Sequence, residues 1–567
     1  MQSFIHVLQW RATVRPDLTA LTDDRGARYG YAELLATVER RAGGWAGLGV
    51  RPGDVVAIVA RNSADFLVHA FAVMRAGATP AFVNWRLSEG EMAGVLALVE
   101  PAAVAADADF TGLVDAALAD PALAGSAPGG RHPRIVIGGN TAPDDPEADP
   151  AWLDGSWLDG PVPALPALSR DSVLALVHTS GTTGRAKAIP LRHGALLLSV
   201  AGMAIEIGDQ VAGSRHLQIL PLFHLGGFGQ CMQALLTAGS VYMHTAFSPP
   251  GVIDAIERDL IEFFTAGPSL IDLLVAEIRR RGGGPDLSSL KEIAYGTAPI
   301  TPTSLTAAIE AFGCRFRQIY GNTESQSMIS LLAPEDHVPG HPRLASAGRV
   351  AFGWEVKVTD PSDPESGALP ADTPGEILIR GECLFDGYWR DPEATAAAFT
   401  DDGWYRTGDI GSLTADGYLY VLDRAKDMVI SGGENIYPAE VEAVLAAHPA
   451  IAEVAVLGRP DPTWGEAVHA VVRLADGAQA SGPEIIAWCR DRLSHFKCPK
   501  SVEFTAALPR TTTGKVLKRE LRARLAAGET SPPSANPAAA NPASDTGPDG
   551  PASVAGDSVH DEQGASR

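Results

Sequence analysis

Along this chain apolar residues come in short unbroken runs rather than in strict alternation with polar ones. Residues 55–60 (VVAIVA), 80–84 (PAFVN) and 173–177 (VLALV) read as strands buried on both faces. Between the first two, residues 63–76 read as a helix that stops at Gly77. Continuous apolar strands alternating with helices predict a parallel sheet covered on both sides, so residues 1 to about 165 are expected to be an α/β region. Residues 120–163 are rich in Pro, Gly and Asp around a short strand at 134–137, which marks a surface excursion or a boundary.

The alternation continues past residue 173. A helix is expected over 193–205, a strand over 217–223 ending at His224, further strand ends at 240–244, 263–264 and 293–295, and helices over 250–258 and 270–281. From 345 to about 421 the pattern turns strand-rich and punctuated by glycine, which predicts a smaller barrel-like or meander unit. The character changes again at Asp423. A glycine turn at 432–435, a helix over 438–448, strands at 451–457 and 468–474 and a helix over 482–493 outline a small α+β domain of residues 424–526. Residues 527–567 carry almost no large apolar side chain and are expected to be disordered.

A chain of 567 residues is too long for one core, and a hydrophobic content of 46% can fill several. Its 45 Lys and Arg against 68 Asp and Glu leave a net charge of −23. That argues against a general nucleic-acid or anionic-membrane binder, whose footprint is basic. An anionic ligand must then be met by local cations. The 5 cysteines are scattered without a C-x-x-C pair, so neither a disulfide framework nor a structural zinc site is expected. The first residues lack the apolar core of a signal peptide, and no apolar run reaches the roughly 18 residues a membrane span needs. A cytoplasmic protein is the expectation.

Chemistry concentrates at 178–193, HTSGTTGRAKAIPLRH. An apolar strand delivers the chain into a Ser/Thr/Gly loop whose N–H groups and hydroxyls can meet an anion, and Lys187 adds a mobile charge. The spacing is not that of a Walker A loop, because Arg185 and Ala186 separate Gly184 from the lysine. His224, ahead of Gly226 and Gly227, can project from a strand end into a cleft, or can be an ordinary satisfied histidine. Tyr320, Gly321, Asn322, Thr323 and Glu324 put an aromatic plate, a tight turn, a hydroxyl and a carboxylate suited to Mg²⁺ in five residues. Asp409 is a turn carboxylate able to accept from ribose hydroxyls, and Lys515 follows a second Thr/Gly turn in the small domain. Singly each has an ordinary structural explanation. Together they describe a nucleotide, its metal and a movable cation.

These segments, with PLFHLGG (221–227), YGTAP (295–299), YGNTES (320–325), GEILIRG (375–381), GWYRTGDIG (403–411), YVLDRAKDMVISGGENIYPAEVE (420–442) and PRTTTGKVLK (509–518), resemble the ordered motif set of the acyl-adenylate-forming enzymes. The resemblance covers residues 1–526. It implies an α/β fold: a large N-terminal domain, residues 1–423, of α/β subdomains plus a distorted β-barrel part at 346–421, then a small mobile α+β C-terminal domain, residues 424–526. It implies ATP, Mg²⁺ and coenzyme A as ligands and a two-step reaction, in which a carboxylate attacks the α-phosphorus of ATP and a thiol then takes the acyl group. Carried over residue by residue, Thr179, Ser180, Gly181, Thr182, Thr183, Gly184 and Lys187 would hold the β- and γ-phosphates. Gly296, Thr297, Ala298, Tyr320 and Gly321 would frame the nucleotide, Thr323 would contact the α-phosphate, and Glu324 would hold Mg²⁺. Asp409 and Arg424 would bind the ribose. His224 would gate or orient an acyl site walled by Gly227, Phe228, Asn322 and Ser325. Lys515 would bridge carboxylate and α-phosphate, and rotation about Asp423 would exchange it for the Gly432, Gly433, Glu434 loop. The chain departs from the family pattern at Ala186 and Ala188, which replace the usual proline before the lysine and glycine after it.

The stretch 225–236 contains no carboxylate to meet an α-ammonium group, which argues against an amino acid as substrate. The favoured expectation is an acyl-CoA ligase for a fatty or other hydrophobic monocarboxylic acid. Alternatives are an aryl-acid CoA ligase, an enzyme that loads a carrier protein's phosphopantetheine, a luciferase-like oxidase and a non-catalytic ATP-binding scaffold. The partners expected are a small carboxylic acid and CoA, with no nucleic acid and no membrane span; the oligomeric state, a homodimer included, is left open.

Overall fold

The computed structural model describes residues 2–120, 123, 133–137, 152–154, 158–164, 166–179, 186–207, 213–282, 284–298, 300–432, 434–510 and 516–527. The expected phosphate loop 180–185, Gly433, Lys515 and the expected disordered tail from 528 therefore lie outside the described residues. Two sheets carry the large N-terminal α/β part. One runs, in spatial order, Leu153–Asp154, Arg134–Ile137, Ala103–Asp107, Val55–Val59, Thr79–Phe82, Val173–Thr179 and Lys187–Arg192. All its neighbours are parallel except the last pair. The strands Val55–Val59 and Ala103–Asp107 are buried along their whole length, as their unbroken apolar runs require.

The other sheet runs Arg349–Val350, Ser327–Leu332, Arg315–Asn322, Glu292–Gly296, Phe263–Ala266, Arg215–Gln218, Ser240–Met243, Thr19–Asp23 and Arg28–Gly30. Its central strands are parallel and three pairs towards its edges are antiparallel, so it is a mixed sheet. The two layers meet through rings. Phe82 of the first sheet lies 5.1 Å from Phe66 and 4.9 Å from Phe228 of the helix Leu225–Leu236. Aromatic pairs at these separations add to the burial term.

A third sheet, Trp354–Thr359, Gly375–Gly381, Tyr405–Leu413 and Leu419–Arg424, is antiparallel between successive neighbours, the meander expected for this part of the chain. The smaller C-terminal part is α+β. Its strands Ile451–Asp461 and Gly465–Leu474 pair antiparallel, Ser501–Phe504 adds in parallel, and the hairpin Val429–Ser431 and Glu434–Ile436 joins the same sheet. Helices Pro438–Ala446, Gly482–Arg490 and Lys518–Ala526 accompany it, the second opened by a capping box of Ser481 and Glu484. Among the described residues no helix is long and apolar enough to cross a membrane.

One expected element is corrected. The strand at 217–223 stops at Gln218, and residues 219–224 turn instead. Pro221 has no N–H to extend a ladder, and the turn is pinned by Asn62, which donates from Nδ2 to the Leu220 carbonyl at 2.9 Å and accepts from Leu222 N at 2.9 Å. His224 thus stands at the N-cap of a helix and not at a strand end.

Candidate active site

The strands Val173–Thr179 and Lys187–Arg192 form an antiparallel pair in which Thr179 lies opposite Lys187. The threonine-rich segment is the connection between two strands, and the following helix begins only at His193. Ala188 is an ordinary strand residue, 1% exposed, whose carbonyl accepts from Trp389 N at 2.8 Å. An alanine where the family has glycine is accommodated at that position.

Lys187 reaches across to the segment after Gly387. Its Nζ lies 4.2 Å from the centre of the Tyr388 ring, a cation–π contact that holds the ammonium while leaving N–H donors for other partners. The Tyr388 hydroxyl donates to Glu324 Oε1 at 3.1 Å, and Phe385 N donates to the Glu324 carbonyl at 2.9 Å. Residues 385–389 therefore hold Lys187 and Glu324 in one frame. Burial pushes the Glu324 carboxyl up, against hydrogen bonds from Tyr388 and Tyr405 and the Arg424 charge. A buried carboxylate with a desolvation cost is a fitting donor for a hard dication, since a bound cation offsets that cost. Among the described residues no group of three or more His, Cys, Asp and Glu side chains is placed to hold a metal ion.

Tyr320 closes the corner. Its hydroxyl donates to Asp409 Oδ2 at 2.6 Å, and Arg424 Nε meets Asp409 Oδ1 at 2.6 Å. Asp409 and Arg424 face each other across adjacent strands, which fixes the ion pair by register. The Tyr320 phenol is held well above its usual range, first by burial and then by the Asp409 charge, so it stays a donor. The turn after Tyr320 is shaped by Asn322 and Ser325: Ser325 N donates to Asn322 Oδ1 at 2.7 Å, and Asn322 N donates to Ser325 Oγ at 3.2 Å. Thr323 and Glu324 sit at its tip, between those two partners. Gln326 anchors it to the lysine strand by accepting from Arg192 N at 2.8 Å.

Three of the residues expected at the acyl wall, Phe228, Ser325 and Gly227, are buried. Phe228 is fully buried against Phe82, and Ser325 is fully buried within its own turn. Gly227 is a packing residue: a Cβ there would stand 2.3 Å from the Pro221 carbonyl oxygen. The open positions are Gly226 and Gly229, where a Cβ would meet only leucine side chains at 3.6 and 3.8 Å. Next to them, burial pushes the His224 ring down to about 4, with the Arg86 charge adding to the shift, so the imidazole is neutral at pH 7. Gly296 ends the buried strand Glu292–Gly296 where a Cβ would come within 2.4 Å of the Ile319 carbonyl. Thr297 follows with φ of 71°, a left-handed conformation rare for a β-branched residue, and Ala298 is half-buried beside it.

In the C-terminal part Gly432 turns at φ 61° and donates to the Trp464 carbonyl at 2.8 Å, and Glu434 is exposed at the start of its strand. On either side of residues 511–515, Arg510 and Val516 form a bridge and Leu517 N donates to the Pro509 carbonyl at 2.8 Å. Asp423 accepts at Oδ2 from Ala439 N at 2.8 Å, capping the helix that starts at Pro438.

Tyr388 and Tyr405 are the residues sequence reasoning missed. Tyr388 shows only as part of an aromatic pair after Gly387 and Tyr405 only as part of the segment 403–411, and neither says anything of Glu324, 64 residues before Tyr388.

A cation from the first sheet, a buried carboxylate in the turn after Tyr320, and Tyr320 of the mixed sheet joined to Asp409 and Arg424 of the antiparallel sheet bring three sheets to one polar corner, in a chain with a second, smaller domain. Residues 8–389 match the AMP-binding enzyme family and residues 440–515 match the AMP-binding enzyme C-terminal domain. The chain belongs to that family, within the acyl-adenylate-forming superfamily, and is an ATP-dependent, adenylate-forming ligase. It is 38% identical to a feruloyl-CoA synthase of Amycolatopsis over 516 residues, 91% of this chain and 97% of that one. It is 36% identical to an indoleacetate–CoA ligase of Aromatoleum aromaticum, over 88% of this chain and 93% of that one. The solved structure of o-succinylbenzoate CoA synthetase from Bacillus subtilis, in complex with the acyl-adenylate intermediate OSB-AMP, superposes with a TM-score of 0.77 at 30% identity, covering 91% of this chain and 97% of that chain.

Proposed function

We propose that this chain makes the CoA thioester of a hydrophobic monocarboxylic acid, with aryl and arylalkanoic acids ahead of straight-chain fatty acids. The observation that carries the acid class is the helix Leu225–Leu236: its open positions are Gly226 and Gly229, it holds no charged side chain, and the imidazole at its head is neutral. A slot left by two absent side chains suits a flat apolar group and offers no counter-charge to an ammonium or a second carboxylate. The names of the feruloyl- and indoleacetate-CoA relatives support the aryl preference.

In the first step an acid oxygen attacks the α-phosphorus of ATP, forming the acyl–phosphate bond and releasing pyrophosphate. In the second a CoA thiolate attacks the acyl carbon and AMP leaves. Lys187, with Thr179 and the segment 180–184, would hold the phosphate end, and Thr323 the α-phosphate. Asp409 and Arg424, already oriented by Tyr320, would meet the ribose. Glu324 would hold Mg²⁺, which supplies charge neutralisation at phosphate oxygens when bound. Lys515 would neutralise charge in the first step only, and a hinge at Asp423 would withdraw it for the second and bring the Gly432–Glu434 turn forward. A boundary between residues 423 and 424 follows from that reading.

The test is ATP–pyrophosphate exchange over straight-chain, branched, alicyclic and aryl acids, with mass detection of the CoA thioester for each acid that exchanges. Exchange and thioester formation fastest with aryl acids is the expected result. Exchange without thioester would transfer the acceptor role to a carrier protein, and fastest turnover of long-chain fatty acids would overturn the aryl preference.

A further inference from the structure

The face of the helix Leu225–Leu236 that carries the open glycines continues into two amide side chains without an assigned task. Residues 226, 229, 230 and 233 are spaced i, i+3, i+4 and i+7, so they share one face, while Phe228 packs the opposite side against Phe82. Gln230 and Gln233 are only 5% and 1% exposed. Gln230 Nε2 donates to the Leu217 carbonyl at 3.2 Å. A carbonyl can accept only from the NH₂ of the amide, so Oε1 is turned away from that carbonyl, and it has no hydrogen-bond partner. Gln233 Nε2 is likewise buried without a partner. The helix therefore holds an unmet acceptor and an unmet donor within one turn of each other.

Space adjoins these atoms. A Cβ at Gly226 would find only a Leu220 methyl, at 3.6 Å, and one at Gly229 only a Leu225 methyl, at 3.8 Å. On the sheet below, His216 is in register with Phe263, so Gln218 and Thr265, each two residues further on, lie on one face. Cys231 Sγ of the helix reaches Gln218 Oε1 at 3.7 Å, so this is the face that the helix covers. Thr265 on that face is the one residue of the strand Phe263–Ala266 that is not buried, so the helix does not seal the sheet there. Buried polar atoms nearly always find a partner, because one left without it bears the full cost of leaving water. Two such atoms on the face of two open glycines mark the groups that a bound molecule supplies.

We propose that Gln230 and Gln233 select an acid with a hydroxyl group at its far end, the hydroxyl donating to Gln230 Oε1 and accepting from Gln233 Nε2. This rests on the reading of the helix face as the acyl slot given under the proposed function. A hydroxyl both donates and accepts, whereas a methyl does neither and an ether or ketone oxygen only accepts. Gln230 stands four residues beyond Gly226, about 6 Å along the helix axis, which is the span of a benzene ring with its para oxygen. The acid class is therefore the para-hydroxyaryl acids, with the ring against the open glycines and the carboxylate towards the head of the helix. A site that bonds a substrate hydroxyl rejects the analogue lacking it, because its own polar atoms are then left unpaired.

The experiment uses the full chain and a matched pair of acids, 4-hydroxycinnamic and 4-methylcinnamic, which have the same shape and differ in hydrogen bonding. ATP–pyrophosphate exchange and CoA thioester formation are measured with each. The expected kcat/KM ratio for exchange is about 100-fold in favour of the hydroxy acid. Gln230→Met and Gln233→Met should each bring that ratio down at least tenfold, by losing the hydroxy acid while the methyl acid stays within threefold of the parent. Gln233→Met gives up an unpaired nitrogen, so its ligand-free thermal midpoint should be no lower than the parent's, and it carries the variant test if Gln230→Met, which also frees the Leu217 carbonyl, fails to fold. A parental ratio below threefold overturns the proposal without any variant, and so does a folded Gln233→Met that keeps the parental ratio. If both acids exchange equally and form thioesters, hydroxyl selection fails while the aryl-CoA ligase reading stands. A hydroxy-acid preference in exchange without any thioester supports the selection and overturns CoA as acceptor. If no aryl acid exchanges, the acid class proposed above is wrong and this selection goes with it.

Discussion

Around Asp409 the side chains are tied to one another, whereas along the first turns of the helix Leu225–Leu236 two glycines leave open space where side chains would stand. Tyr320, Asp409 and Arg424 are joined at 2.6 Å on both sides of one carboxylate, and Glu324, Tyr388 and Lys187 form a chain of their own. A Cβ at Gly226 or Gly229 would meet only a leucine side chain within 4 Å. Linked polar groups fix where charges sit before a ligand arrives, which is how an active site avoids reorganising during reaction. Open positions fix only a shape. The nucleotide corner should therefore tolerate little substitution in any reaction the enzyme performs, while the acyl side should change which acid is used.

The sharpest way to break this contrast is Asp409→Ala. It leaves Arg424 and the Tyr320 hydroxyl facing a void, and the expected loss is about 3 kcal/mol of stability by denaturant unfolding, at the low end for a buried pair because Arg424 is 37% exposed. Loss of exchange with every acid in the panel should accompany it. A stable, active variant would mean the corner is not preorganised by this carboxylate.

On the acyl side, Gly226→Leu should lower kcat/KM for aryl acids about 10–100-fold while sparing short acids such as propionate. Gly227→Ala is the internal control. Its Cβ would stand 2.3 Å from the Pro221 carbonyl oxygen, so it should cost about 1–3 kcal/mol of stability rather than shift acid preference. Equal effects of the two substitutions on acid preference would erase the distinction between open and packed glycines.

Tyr388→Phe is a smaller test. It removes one hydrogen bond to Glu324 and keeps the ring under Lys187, so exchange should fall by a factor corresponding to about 1 kcal/mol, roughly fivefold. A hundredfold loss would give the hydroxyl a direct part in the reaction.

Two further effects are in stability against pH. Because burial raises the folded-state pKa of Glu324, the stability it contributes is present below the unfolded carboxyl value of about 4.3 and is lost as pH rises through the folded value. Glu324→Gln should therefore make the ligand-free protein more stable than the parent at neutral pH, with the gain vanishing in acid. His224 runs the other way: its folded value near 4 lies below the unfolded value of about 6.5, so its contribution is full above that range and fades as pH falls from about 6.5 to 4. Unfolding midpoints of parent and His224→Gln over that range check the sign.

The parts of this protein legible in its sequence are those set by neighbours along the chain. Runs such as 55–60 and 173–177 have to be buried strands, because an unbroken apolar stretch bounded by polar turns has no exposed face to offer, and both are. The motif segments likewise display Tyr320, Glu324, Asp409 and Lys187 as chemistry-bearing types in a recognisable order. The turn at 219–224 was less legible, since Pro221 signals a break without showing that Asn62, 158 residues away from Leu220, would hold it. Phe228 gives no sign in sequence of its partner, Phe82 of another sheet, whose ring lies 4.9 Å away. What the tertiary structure alone decided are the partners: Tyr388 for Glu324 and Lys187, Tyr320 for Asp409 across 89 residues, Lys518 for Glu442. Residue types and local periodicity are properties of short windows and survive in the sequence. Which side chains share a buried charge depends on how whole sheets pack, and that is decided by the burial of hundreds of residues at once.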